Sequence, residues 1–286
     1  MVTGCLAVFM FSYASLPPEV TIPYTDAVID LFWDYPNSQS PWAEPTPTIE
    51  PEPVSDVLDI VDELQSPGVT NDPALLTLPV PDKSVYIERG SLTGDVAELY
   101  DMLYDEMAEG NLVIEHIRAK KFEDVITAFF SVFYDHPEYF WLNGASKSEY
   151  YEYSDYVDVT LTLESTFDIS ELSQRRANVE ASVKPIVNYV KDLPDYQKVK
   201  TVYEWVIGHT DYDLDTVSDQ TLYSTLVDRR GICTGYARAM QYILQLVGVP
   251  SVLVTGHTPT DPHAWVMAQV NGQYCHIDPT WGDPLT

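Results

Sequence analysis

Hydrophobic residues in the second half of the chain recur with helical spacing: Tyr236, Met240, Ile243, Leu244 and Val247 form one stripe that follows Gly231-Ile232-Cys233 and stops at Gly248. The spacing predicts a helix whose first turn holds Cys233. Two upstream stripes predict core-packing helices: one on Val179, Val183, Ile186, Val187 and Val190, bent by Pro185, and one on Val199, Val202, Tyr203, Val206 and Ile207, starting after Pro194-Asp195. Val96, Leu99, Met102, Leu103 and Met107 predict a further helix over 95–110, stopped by Gly110, and another spans Phe122 to Tyr134. His136-Pro137 then turns the chain ahead of Tyr139-Phe140-Trp141, and a histidine in such a turn is expected to be structural. Alternation with period two marks Val157, Val159, Leu161 and Leu163 as one half-buried strand. The stretch 85–170 therefore reads as a small, mainly helical α+β cap.

Residues 263–270 and 273–278 are two strand-like runs around Asn271-Gly272, the strongest two-residue hairpin signal. A two-residue turn fixes the register. Val270 then faces Gln273, Met267 faces His276, Trp265 faces Asp278 and His263 faces Thr280. His263, Trp265 and Asp278 share a face, with His263 and Asp278 diagonal neighbours about 7–8 Å apart, within reach of their side chains.

The candidate chemistry follows from these elements. A lone cysteine is by default a small buried hydrophobe, but at a helix start the free N–H groups and the dipole favour a thiolate. A carboxylate bonded to one imidazole nitrogen leaves the other free to serve as a base toward that thiol. Cys233, His263 and Asp278 are thus the candidate nucleophile, base and orienting group. The backbone N–H of Cys233 is a candidate oxyanion donor. His209, at a helix end where a cation suits the dipole, is expected to be structural. His257, His263, His276, Asp278 and Cys233 are the candidate metal ligands, but without a tight His-x-x-x-His pair, no metal and no cofactor is expected.

Composition changes the picture mainly at the N-terminus. The 286 residues carry a net charge of −29, which argues against nucleic-acid or anionic-membrane binding. No Lys or Arg precedes Lys83, and the prolines concentrate in the same segment, so 17–84 reads as a disordered acidic tether unable to offset its ordering entropy. Leu6 to Ala14 is apolar, too short to span a membrane, and ends in a Ser-x-Ala pattern, so 1–16 reads as an export-signal-like segment. Val2-Thr3-Gly4-Cys5 is similar to a lipoprotein box, compatible with lipid or envelope anchoring. Three cysteines at 5, 233 and 275 form no disulfide framework.

Gly231-Ile232-Cys233-Thr234-Gly235-Tyr236-Ala237, His263-Ala264-Trp265 and His276-Ile277-Asp278-Pro279-Thr280-Trp281-Gly282-Asp283-Pro284 closely resemble the three signature blocks of the transglutaminase-like superfamily, relatives of papain-type thiol enzymes. The resemblance is strong from about Tyr196 onward and weaker over Asp135 to Leu142. It implies an α+β fold with a catalytic core over 171–286 on an antiparallel sheet, continued by further sheet beyond Thr286. By position it assigns nucleophile, base and carboxylate to Cys233, His263 and Asp278. It places Tyr223 near the cleft as an oxyanion candidate, with Trp265 and Trp281 as candidate walls. Val266 and Cys275 depart from the usual Asn and aromatic. The function implied is acyl transfer on peptide or protein amides, by a cysteine peptidase or a transglutaminase of the extracellular space or cell envelope. The alternative is a non-catalytic surface module that binds peptide or glycan.

Overall fold

The computed structural model describes residues 3–8, 78–79, 81–213, 221–258 and 262–283, the first of these as backbone alone. Most of the segment read as a tether, and the remainder of 1–16, lie outside the described residues.

The first half builds a four-stranded antiparallel sheet with helices against it. After α1 (Ile87–Ser91) and α2 (Gly94–Ala108) come β2 (Val113–Ala119), α3 (Phe122–Asp135), β3 (Leu142–Glu152) and β4 (Val157–Ser165). The backbone of Thr3–Val8, inside the run read as export-signal-like, forms β1 along β3, and the sheet order is β1-β3-β4-β2. The periodicity had predicted α2, α3 and β4. It gave no sign of β2 and β3. In β2 a bulge at His116, whose φ is 60°, breaks the alternation so that the buried Ile114 and Ile117 are three positions apart. In β3 the inward positions include Ser146 and Ser148, both buried, so the strand lacks an apolar stripe.

The second half starts with α4 (Leu172–Val190), which carries Pro185 inside it and begins about two turns before the apolar stripe, and α5 (Asp195–His209), which starts at Asp195, one residue earlier than expected. The short strands β5 (Asp211–Tyr212) and β6 (Arg230–Gly231) pair in parallel and deliver the chain to α6 (Cys233–Leu246). Gly248, at φ +81°, terminates α6 in the left-handed conformation that glycine favours. A three-stranded antiparallel sheet follows, β7 (Ser251–His257), β8 (Pro262–Val270) and β9 (Gln273–Ile277), closed by α7 (Pro279–Gly282). Ala264, Val266, Ala268 and Val270 point from β8 into the core that α6 covers with Tyr236, Met240, Ile243 and Leu244. One cluster of buried side chains runs from Leu99 on α2 through both halves to Cys275 on β9.

The hairpin has the expected register, with Val270 opposite Gln273 and Met267 opposite His276. Asn271 and Gly272 both take positive φ, 51° and 79°, as a type I′ turn requires. Pairing ends at Val266 opposite Ile277, three positions short of the expected His263–Thr280 pair. Asp278 leaves the strand because Pro279 opens a helix, so Trp265 opposite Asp278 and His263 opposite Thr280 are not ladder pairs.

Candidate active site

Cys233 is the first residue of α6, after an extended Ile232 that gives no side-chain cap. The first-turn N–H groups of such a helix have no intrahelical acceptor. The two flanking glycines let the preceding helical turn, Ser224–Asp228, press against this end of α6. A Cβ on either Gly231 or Gly235 would collide with Thr225 Oγ1. The glycines therefore set how deeply the cysteine is seated, and Cys233 is half-buried.

His263 enters from the start of β8. Its Nε2 lies 2.6 Å from Asp278 Oδ2, which leaves Nδ1 as the ring nitrogen for the thiol, and the interaction of the ring with Cys233 helps to raise the imidazole pKa. Asp278 caps α7: its other oxygen accepts from Thr280 N–H at 3.1 Å and Trp281 N–H at 3.3 Å. The Asp-Pro sequence explains this double use, since Asp is a favoured N-cap and Pro a favoured first helical residue.

The charges are mutually tuned. Burial alone would push the Cys233 thiol up, but hydrogen bonds from His263 and the Ala264 N–H, the His263 charge and Thr234 together bring it below the ordinary thiol range. The His263 imidazole is raised to about 9, first by its hydrogen bond to Asp278 and then by that to Cys233, against the opposing effect of burial. With the thiol lowered and the imidazole raised, the pair favours thiolate and imidazolium, a sulfur nucleophile beside a proton donor. Adjacent residues of one strand serve the same sulfur, His263 through its ring and Ala264 through its backbone.

Trp265 and Trp281 flank the imidazole, each with its ring centre 6.0 Å from that of His263, at interplanar angles of 28° and 44°. Trp281 is 73% exposed, so it stands at the rim. Tyr223 has other partners. Its hydroxyl accepts from Asn178 Nδ2 at 3.2 Å and its ring lies between Phe140 and Arg175. His209 differs from the helix-end cation anticipated: burial lowers its pKa, the ring stacks on Trp205 and Nε2 donates to the Leu226 carbonyl at 3.1 Å. Cys275 is buried on the opposite face of β9, and burial raises its thiol pKa. Among the described residues, no group of three or more His, Cys, Asp and Glu side chains is arranged to hold a metal ion. No described helix is long and apolar enough to cross a membrane.

Sequence reasoning missed Thr225, whose packing explains both glycines, the Ala264 N–H at the thiol, and Tyr236, whose hydroxyl donates to Asp283 Oδ2 at 2.7 Å from the second turn of α6. The Gly-x-x-x-Gly spacing around Cys233 was the available signal for the first.

A helix-borne thiol, an imidazole on the neighbouring sheet and a carboxylate behind it define the class of thiol–imidazole sites. Residues 184–279 match the transglutaminase-like superfamily, so this part of the α+β chain is a transglutaminase-like domain. Kyphoscoliosis peptidase of Mus musculus is 23% identical over 138 residues, 42% of this chain and 21% of that protein. Its Homo sapiens counterpart is 23% identical over 108 residues, 32% of this chain and 16% of that protein. The chain thus spans about a fifth or less of the length of these relatives. Among solved structures, that of a TGase overlaps 49% of this chain and 45% of its own at 15% identity and a TM-score of 0.34. The periplasmic domain of TgpA from Pseudomonas aeruginosa overlaps 44% of this chain and 54% of its own at 21% identity and a TM-score of 0.28.

Proposed function

We propose that the protein is a thiol-dependent acyl-transfer enzyme acting on peptide or protein amides, with Cys233 as nucleophile, His263 as acid and base, and Asp278 as the group that orients His263. The observation that carries this reading is the His263 imidazole held by the Asp278 carboxylate at 2.6 Å from its Nε2, together with the interaction of that ring with Cys233 that lowers the thiol pKa and raises the imidazole's. In the proposed reaction the thiolate adds to the amide carbonyl. The first-turn N–H of Cys233 faces the developing oxyanion. Collapse of the adduct breaks the C–N bond, and the imidazolium proton passes to the departing nitrogen, leaving a thioester. Water or a primary amine then attacks this thioester, giving up its proton to neutral His263, and collapse of the adduct breaks the C–S bond and returns Cys233 as the thiolate beside the imidazolium. The first outcome is peptidase or amidase chemistry and the second is cross-linking. Protein or peptide substrates of the cell envelope or extracellular space belong to the same proposal, on the strength of the export-like run and acidic tether in the sequence.

Mass spectrometry of a protein substrate incubated with the enzyme and an amine probe tests it. Cleaved, deamidated and amine-coupled products differ in mass, and each should vanish with Cys233→Ala. Absence of all three across a varied peptide library, with Cys233 fully alkylable, would overturn the reading in favour of a binding module.

A further inference from the structure

The wall residue Trp265 is fixed from two sides, and neither support belongs to the Cys233–His263–Asp278 chain. On β7, Gly256 stands opposite His263 in the register, diagonal to Trp265. A Cβ at Gly256 would lie 2.6 Å from Trp265 Cη2 and 2.9 Å from Cζ3, so the indole's six-membered ring is seated on the bare glycine backbone. On β9, His276 is diagonal to Trp265 from the other side, and its Nδ1 lies 2.8 Å from the indole Nε1. The indole therefore reaches across all three strands of the sheet.

We infer that His276 is the positioning residue for Trp265: accepting the indole N–H at Nδ1, it holds that ring across the sheet against Gly256 and beside His263. The direction of the bond is not open to choice. An indole nitrogen only donates, so Nδ1 must carry the lone pair and the His276 proton sits on Nε2. Burial lowers the His276 pKa and so favours this neutral form. Without the acceptor, the indole retains its contact with Gly256 but loses what sets its rotation in the plane of the sheet. The near-parallel relation to His263, 28° at 6.0 Å, depends on that rotation. His276 thereby fixes the width of the approach to Cys233 on the Trp265 side without touching the reacting atoms. The inference bears on the proposed reaction by setting what fits beside the imidazole, but the positioning itself does not require that reaction.

Two readouts that need no substrate test it. In His276→Phe, solvent exchange of the Trp265 indole N–H, followed by NMR, should accelerate by about fivefold to tenfold, the effect of losing one hydrogen bond. In His276→Gln, whose side-chain carbonyl can accept, it should stay near the wild-type rate. In parallel, Cys233 is alkylated with iodoacetamide and with a bulky N-aryl iodoacetamide. The ratio of the two rates should change severalfold in His276→Phe, return in His276→Gln, and be unaffected by His276→Phe when Trp265→Phe is already present. An unchanged indole exchange rate in folded His276→Phe would overturn the positioning. A changed ratio that persists in the Trp265→Phe background would overturn its route through the indole. Failure of the acyl-transfer reading would leave both readouts intact and remove only the products.

Discussion

Asp278 carries two loads at once, and the two can be separated by the choice of replacement. Asn keeps an oxygen to cap α7, since Asn is among the best N-cap residues, but it loses the charge that holds His263 protonated and in one orientation. Asp278→Asn should therefore melt close to wild type while turnover falls on the order of 10²–10⁴-fold. Asp278→Ala should lose that turnover and also about 1 kcal/mol of stability, read by denaturant melts. Full turnover in a folded Asp278→Asn protein would remove the carboxylate from the mechanism. The thiol makes its own prediction. Iodoacetamide should label Cys233 far faster than Cys275, and the Cys233 rate should climb as pH rises through its lowered pKa. Peptide mapping across pH reads both, and preferential labelling of Cys275 would contradict the assignment. Turnover, which also needs the imidazolium, should form a bell whose upper limb falls near pH 9, where His263 gives up its proton. The stability contributed by His263 has the same sense: because its pKa is raised, it is complete below the unfolded imidazole pKa of about 6.5 and lost as pH rises through about 9.

At the scale of elements, the seat of Cys233 depends on what is missing from two residues. Gly231→Ala would drive a methyl group into Thr225 Oγ1, while its other nearest neighbours are 3.6 Å away. The expected cost is about 1–3 kcal/mol of overpacking, with slower alkylation of Cys233 as the helix start is displaced. Thr225→Ala should restore much of both, and a thermal-melt double-mutant cycle that shows simple additivity would sink this account. The same scale explains what the sequence revealed. The α6 stripe, the Asn271-Gly272 register and the start of α5 were legible because apolar period, turn chemistry and Pro placement agree there, whereas the helix that Pro279 opens was not. The strands β2 and β3 were not, one because a bulge breaks its period and the other because serines occupy its inward positions. Nor does the apolar stripe of α6 betray its buried polar stripe. Gln241 and Gln245 donate to the Tyr134 and Asp135 carbonyls at 2.7 and 2.8 Å, and Arg238 lies over the Phe133 ring and bonds that residue's carbonyl. Those carbonyls end α3 and have no intrahelical donor, so polar residues there are packing residues. The site's pairing of His263 with Asp278 was readable from the hairpin, whereas the support of Trp265 by Gly256 and His276 depends on side-chain orientations that spacing leaves open.

For the whole molecule, the question is where the cooperative unit begins. Composition puts the boundary near residue 85, and the charge network at the end of α3 makes the position testable. The Asp135 side chain is fully buried, and its carboxylate accepts from the Glu88 N–H at 3.0 Å, the Arg89 N–H at 2.8 Å and the Tyr100 hydroxyl at 2.8 Å. A residue 47 positions away thus caps the first turn of α1. Arg89 in turn grips Asp101 through two hydrogen bonds, and Ile87 packs with Val252 and Met267 on the sheet face that carries Trp265. A chain starting at residue 78 keeps this network while giving up the edge strand β1, so it is the reference for the shorter chain, and it should match the full chain in Cys233 alkylation. A chain starting at residue 94 removes two of the three donors from a buried carboxylate. Loss of Glu88, whose carboxyl burial and then Asp135 push up to about 7, relieves some repulsion but replaces no donor. The expected cost is about 3–5 kcal/mol, or roughly 10 °C in Tm for a unit of this size. The deficit should depend on pH in a definite direction. Burial already raises Asp135 to about 6, and losing two N–H donors raises it further, so the truncated chain should recover part of its stability as pH falls below 6 and the carboxyl takes up a proton. Thermal melts of the three chains at pH 5 and pH 8 read this. Equal melting temperatures for the chains starting at 78 and 94 would move the boundary past α1. A deficit that grew on acidification would assign the loss to something other than Asp135.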